Sequence, residues 1–227
     1  TLQRLIINKI GMDFKYDVIV IGAGHAGCEA AAAAANLGSQ PCLITMDMNK
    51  IGQMSCNPAV GGITKGQIVR EIDALGGQMG ITADKTALQF KLLNSTKGPG
   101  VQCLRVQSDK IEYSKMMHDV VHNTEYLSVL EAMVESIVVE NNKVVGVMLE
   151  NQGLLEADAI ILTSGTYMSS KILVGSTATP SGPEEQRTTN KLSASLRDLG
   201  LKTFRLKTGT PPRIKTNSID FSHGLIQ

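Results

Sequence analysis

The chain has 227 residues, with 22 Lys and Arg against 21 Asp and Glu, and 42% of it is hydrophobic. That length buries a substantial core in one large or two small domains, and the near-neutral charge excludes a disordered or broadly basic polypeptide. No apolar run approaches the roughly 18 residues that cross a bilayer, so no membrane association is expected.

Residues 1–11 are too short and too weakly apolar for a signal peptide, and Met12 stands before the natural-looking start DFKYDVIVIG. They read as an upstream extension. The apolar run Val18 to Ile21 then breaks into Gly22-Ala23-Gly24-His25-Ala26-Gly27, and an alanine-rich helix follows at once. In such a strand–turn–helix, the first glycine permits the tight turn. The second lets backbone approach a pyrophosphate, and the third lets helix and strand pack closely. The unpaired N–H groups of the first helical turn face the negative charge. His25 reads as a helix-start residue beside the phosphates rather than a base.

Gly38 stops this helix, and Gln40 to Thr45 forms the next strand. Thr45 and Asp47 stand where a ribose contact is expected, and no nearby Arg favours a 2′-phosphate. The glycine motif leaves FAD and NAD both open. Residues 64–75 place Ile68, Ile72 and Leu75 on one helical face, and residues 108–122 read as another helix. Leu127 to Leu130 is a short strand. Ile137 to Leu149 is a hairpin turning at Asn141-Asn142, and Ala157 to Gly165 is an apolar strand ending in a glycine turn. This order favours an α/β, Rossmann-like FAD-binding domain, a parallel sheet with a β-meander, of the two-dinucleotide-binding flavoprotein type. The preference rests on fold-level analogy.

The cysteines at 28, 42, 56 and 103 form no C-x-x-C and no His-rich pairing. No metal site or disulfide framework is expected, and reduced thiols fit a cytoplasmic protein. Cys28 and Cys42 fall on the first helix and second strand, as small buried hydrophobes do. Residues 52–66 and 205–213 are dense in Gly, Pro and small polar residues, as ligand-lining loops are. The first lacks the Gly-x-x-x-x-Gly-Lys-Ser/Thr of a Walker loop. The sequon at Asn94 is expected to be accidental.

Five motifs in order (GAGHAG, IGQMSCNPAVGGITKGQIVREIDALGG, LNSTKGPGVQ, ILTSGTY and RLKTGTPPRI) resemble the glucose-inhibited division protein A family, from about Asp13 to the chain end. Its members are FAD-containing tRNA uridine 5-carboxymethylaminomethyl-modification enzymes. The resemblance implies modification of the wobble uridine at carbon 5 with a partner GTPase. It further implies FAD, NADH and a folate-derived one-carbon unit, and work as a homodimer. It assigns the FAD pyrophosphate to Gly22, Ala23, Gly24, His25, Ala26 and Gly27, and further cofactor contacts to Val134, through backbone groups, and to Thr189. Cys56 falls on the cysteine of the Ser-Cys-Asn-Pro motif. A thiolate there would add to carbon 6 of uracil and make carbon 5 nucleophilic, with Lys65 nearby in sequence. A purely structural loop is the competing reading for Cys56.

Family members are much longer. The resemblance therefore implies an extension at 1–11, the first part of the FAD domain at 12–200, and the start of an inserted NADH-binding domain at 201–227, the whole being an N-terminal fragment. Residues 197–216 carry Arg197, Lys202, Arg205, Lys207, Arg213 and Lys215 against Asp198 alone. They suit tRNA phosphates or a solvated surface equally. Three rival functions stay open. One is a folate- and FAD-dependent tRNA uridine methyltransferase, which the Ser-Cys-Asn-Pro stretch disfavours. The others are a non-catalytic FAD- or tRNA-binding module and a small-molecule flavin oxidoreductase.

Overall fold

A computed structural model describes residues 14–209 and 214–224; the extension at 1–11 and Arg213 lie outside them. The main sheet has six strands: β1 (Tyr16–Ile21), β2 (Pro41–Thr45), β6 (Ser128–Glu131), β7 (Val134–Glu140), β8 (Lys143–Leu149) and β9 (Gly153–Leu162). Their order is β6-β2-β1-β9-β8-β7. The first four are mutually parallel, and the last two join antiparallel as a meander. Strand β9 serves both halves. Its early residues pair with β8 and its later ones, from Ala157, with β1. The strand expected from Ala157 therefore begins four residues earlier, because the meander extends it.

Alternation along β1 divides the core. Val20 faces a cluster with Leu43, Cys28, Ala31, Ala35, Tyr113, Met117 and Val121. Ile19 and Ile21 face the other cluster with Cys42, Ile44, Val134, Val147, Leu149 and Leu192. The first layer is helix α1 (His25–Asn36) together with helix α4 (Lys110–Asn123). Alanine suits α1 because a helix lying this close to a sheet has no room for larger side chains. It ends where expected, at Gly38 with φ +85°. Helix α4 starts at Asp109, whose carboxylate accepts from the N–H groups of Ile111 (2.9 Å) and Glu112 (3.0 Å), a cap typically contributing about 1 kcal/mol. On the opposite layer, helix α5 (Asn190–Asp198) buries Leu192 and Leu196. The meander turn is at Asn141-Asn142, as the sequence predicts, both with positive φ.

A second, smaller sheet, ordered β3-β5-β4, was not visible in the sequence. It comprises β3 (Ala59–Gly61), β4 (Ala87–Leu93) and β5 (Cys103–Ser108), with helices α2 (Gly66–Ala74) and α3 (Met79–Lys85) against it. Glu29 of α1 pins this unit to the main layer by accepting the Gln78 N–H at 2.9 Å and the Met79 N–H at the start of α3. The face expected on residues 64–75 needs correction. Thr64 has φ +60°, so the helix starts at Gly66. Val69 turns toward the core, while Ile68 is 54% and Leu75 89% exposed. Of the expected face only Ile72 is half-buried, so the stripe is largely left in solvent among the described residues. A hairpin of β10 (Lys171–Val174) and β11 (Thr177–Pro180) stands fully exposed before α5.

Candidate functional site

The glycine loop sits at the carboxyl ends of β1 and β9. Gly22 has φ +101°, and a Cβ there would stand 2.6 Å from the Thr163 carbonyl oxygen. A Cβ at Gly27 would lie 1.7 Å from the Gly22 carbonyl oxygen, so only glycine permits this helix to start against its own strand. Gly24 differs, because nothing of the protein lies within 4 Å of its added Cβ. It is the N-cap of α1 with no side-chain cap, and the first helical bond is Cys28 N–H to the Gly24 carbonyl at 3.0 Å. The N–H groups of His25, Ala26 and Gly27 therefore have no intrahelical acceptor. Open space before an uncapped helix start fits a pyrophosphate.

Two partners of this loop lie far away in sequence. The Thr163 hydroxyl stands 2.9 Å from the carbonyl oxygens of both Ile21 and Gly22. The Gly52 N–H donates to the Ala23 carbonyl at 2.9 Å, tying the 52–58 loop to the glycine loop. Sequence reasoning missed both, since neither pairing leaves a local spacing signal. The His25 ring packs edge-on against Tyr113, 5.6 Å between centroids. Its Nδ1 and the Tyr113 hydroxyl are both buried without a hydrogen-bond partner. Burial holds the His25 imidazole below its ordinary pKa, hence neutral, as a helix-start residue rather than a charged one.

Val134 opens β7 beside the end of β2, where the Ala132 N–H donates to the Thr45 carbonyl at 2.8 Å. Its side chain is 3% exposed and lies in the core, leaving only backbone for a ligand. Thr189 occupies the N-cap position of α5 without a side-chain cap bond; its Oγ1 is buried and unpartnered, and its N–H donates to the Tyr167 carbonyl at 2.9 Å. Both ribose candidates are engaged locally. The Thr45 hydroxyl donates to the Asp47 carbonyl at 3.1 Å, and the Asp47 carboxylate accepts from the Asn49 N–H at 2.9 Å.

Cys56 is exposed in the loop leading to β3, four residues beyond Gly52, and among the described residues no hydrogen bond or ion pair joins it to Lys65. Cys28, Cys42 and Cys103 are buried. Desolvation pushes the Cys28 and Cys42 thiols up to about 12. Among the described residues no three or more His, Cys, Asp or Glu cluster as metal ligands, and no helix is long and apolar enough to cross a membrane. Of the basic stretch, Lys202, Arg205 and Lys207 are exposed, and Arg205 Nη2 donates to the Ser169 carbonyl at 2.9 Å.

Parallel strands, a meander and a glycine turn running into an uncapped helix define a Rossmann-like FAD-binding domain. The same arrangement occurs in GidA of Aquifex aeolicus (form I crystal). That structure is 44% identical, with a TM-score of 0.89 over 92% of this chain and 35% of that one. The family model for glucose inhibited division protein A matches residues 17–227, and the chain belongs to that family. It is 52% identical over 210 residues to the tRNA uridine 5-carboxymethylaminomethyl modification enzyme MnmG of Bacteroides fragilis. It is 54% identical to the protein of that name from Bacteroides thetaiotaomicron. These alignments cover 92% of this chain and 34% and 33% of those relatives, so the chain spans about a third of their length. A GidA-related protein from Thermus thermophilus shares the fold at 16% identity, with a TM-score of 0.61 over 82% of this chain and 69% of that one.

Proposed function

We propose that residues 12–200 form the first part of the FAD-binding domain of a tRNA-modifying flavoenzyme, and that residues 201–227 begin an inserted NADH-binding domain. The reaction is addition of a carboxymethylaminomethyl group at carbon 5 of the wobble uridine. The observation that carries this reading is the open, uncapped start of α1 at Gly24; the printed names of the relatives supply the reaction.

In this reading the N–H groups at Gly24, His25, Ala26 and Gly27 hold the FAD pyrophosphate, with Gly22 and Ala23 shaping the turn. Val134 offers backbone to the adenine end, and the unpartnered Thr189 Oγ1 offers a polar contact. Bound FAD supplies two-electron redox chemistry, with NADH as its reductant. Cys56, exposed to solvent, adds its thiolate to carbon 6 of uracil. A sulfur–carbon bond forms at carbon 6 as the C5–C6 π bond opens to an enolate over carbon 5 and the carbon 4 carbonyl oxygen, which leaves carbon 5 nucleophilic. After carbon 5 has bonded to the incoming group, loss of its proton and elimination of the thiolate restore the double bond and free Cys56. The protein acts in the cytoplasm on tRNA, as a homodimer with a GTPase partner.

Mass spectrometry of tRNA nucleosides from a strain lacking the gene tests this. Loss of the carboxymethylaminomethyl group at the wobble uridine, restored by the wild-type gene, is the expected result. An unchanged nucleoside profile contradicts it.

A further inference from the structure

Glu184 lies outside the five sequence motifs, yet four polar side chains meet around it. Its carboxylate accepts from Lys110 Nζ at 2.9 Å, from Lys50 Nζ at 3.4 Å and from Gln53 Nε2. Gln186 Nε2 in turn donates to Gln53 Oε1 at 3.1 Å. These partners come from three places: the turn after β2, the loop that carries Cys56, and the first residue of α4. The Lys110 hydrogen bond, ahead of the other contacts, holds the Glu184 carboxyl below the usual carboxylate range.

The backbone here is unusual. Glu184 and Glu185 have φ of +52° and +62°, two successive non-glycine residues in the left-handed region. Such strain persists only where the surroundings over-determine it. One exposed ion pair does not supply that, because solvent screens it; a single carboxylate shared by three donors, two of them charged, is stronger.

The clasp also joins the two walls of the proposed cofactor site. On one side, Gln53 follows Gly52, whose N–H is bonded to Ala23 in the glycine loop. On the other, Gln186 lies three residues before Thr189. Its carbonyl accepts the Gly182 N–H at 2.8 Å, which closes the 182–186 turn. We propose that Glu184 is a positioning residue: by gripping Gln53, Lys50 and Lys110 it holds the Thr189 segment against the Cys56 loop and the glycine loop, so that FAD is retained between them. This rests on the FAD reading above.

The test uses full-length, flavin-loaded protein and follows FAD release by recovery of flavin fluorescence. Glu184→Gln keeps the shape and removes the charge, and FAD release is expected to quicken by roughly tenfold, the loss of one charge-assisted hydrogen bond. Glu184→Asp should restore slower release. Gln53→Ala should quicken release by a similar factor, and the double variant Gln53→Ala/Glu184→Gln by no more than either alone. Because the clasp is already formed without FAD, the melting temperature of the FAD-free protein should fall slightly, by much less than the tenfold change in release corresponds to. Wild-type release from Glu184→Gln, or additive effects in the double variant, overturns the proposal. So does an equal loss of stability in FAD-free protein, which marks a merely structural residue. Gly24→Val separates the two readings. If it loses FAD while Glu184→Gln releases at the wild-type rate, the clasp alone fails; if it keeps FAD, the cofactor reading fails first.

Discussion

The two ends of the proposed site are built differently. Around Gly22 and Gly27 the backbone is so close that a single Cβ would collide at 2.6 or 1.7 Å, and the flanking residues Ile21, Ala23 and Cys28 are buried. Around Cys56 the side chains of Ser55, Cys56 and Asn57 are exposed, and the adjoining small sheet leaves Leu88, Phe90 and Leu92 in solvent. The first region is finished by contacts within the chain, and its geometry is fixed before any ligand arrives. The second presents Cys56, the proposed nucleophile, on a surface that a large substrate could reach. In the proposed reading, holding a cofactor and reaching a nucleobase make opposite demands on packing. The Gly52 N–H bond to the Ala23 carbonyl and the shared packing of Ala23, Ile51 and Met54 join the two regions.

Substitution at Gly27 should break this contrast most severely. Gly27→Ala places a methyl group inside the Gly22 carbonyl, and with no room to yield it should cost at least about 3 kcal/mol. Urea denaturation and flavin content of the purified protein should both show the loss. Near wild-type stability would mean the strand and helix sit further apart than described.

In the exposed region the expected loss is chemical rather than structural. Cys56→Ser should keep its FAD and its melting temperature yet lose most wobble-uridine modification, measured by nucleoside mass spectrometry. Near-normal modification would remove the nucleophile role. At pH 8 a maleimide should label Cys56 while Cys28 and Cys42, buried and with thiols raised to about 12, stay unmodified until the protein unfolds.

These two regions were not equally legible in the sequence. The strand, glycine turn and alanine helix declare themselves because each step is local: an apolar run, three glycines at fixed spacing and a stop at Gly38. The Asn141-Asn142 hairpin is local in the same way. The small sheet escaped notice because β3 is three residues long and the partner of β4 comes after a turn-rich stretch from Asn94 to Gln102. Thr163 and Glu184 escaped because their partners are 74 to 142 residues away. Ile68 and Leu75 show the limit of periodicity, which finds an apolar stripe without saying whether this chain covers it.

A smaller effect concerns His25. Burial lowers its folded pKa below the unfolded value of about 6.5, so the unfolded chain takes up more protons as pH falls. Its contribution to stability is complete above about pH 6.5 and diminishes below it. The wild-type melting temperature should therefore drop more between pH 7 and pH 5 or so than that of His25→Asn, which carries no titrating ring. Parallel pH profiles would mean the ring is solvated.

The most direct measurement compares wild type with Gly24→Val in full-length protein, by flavin absorbance and by circular dichroism. Because no protein atom lies within 4 Å of the added Cβ, the variant should fold with an unchanged dichroism spectrum. It should nevertheless purify colourless, while wild type carries flavin, because the side chain fills the space left for the pyrophosphate. Equal flavin in both proteins would contradict the assignment of the cofactor to this loop.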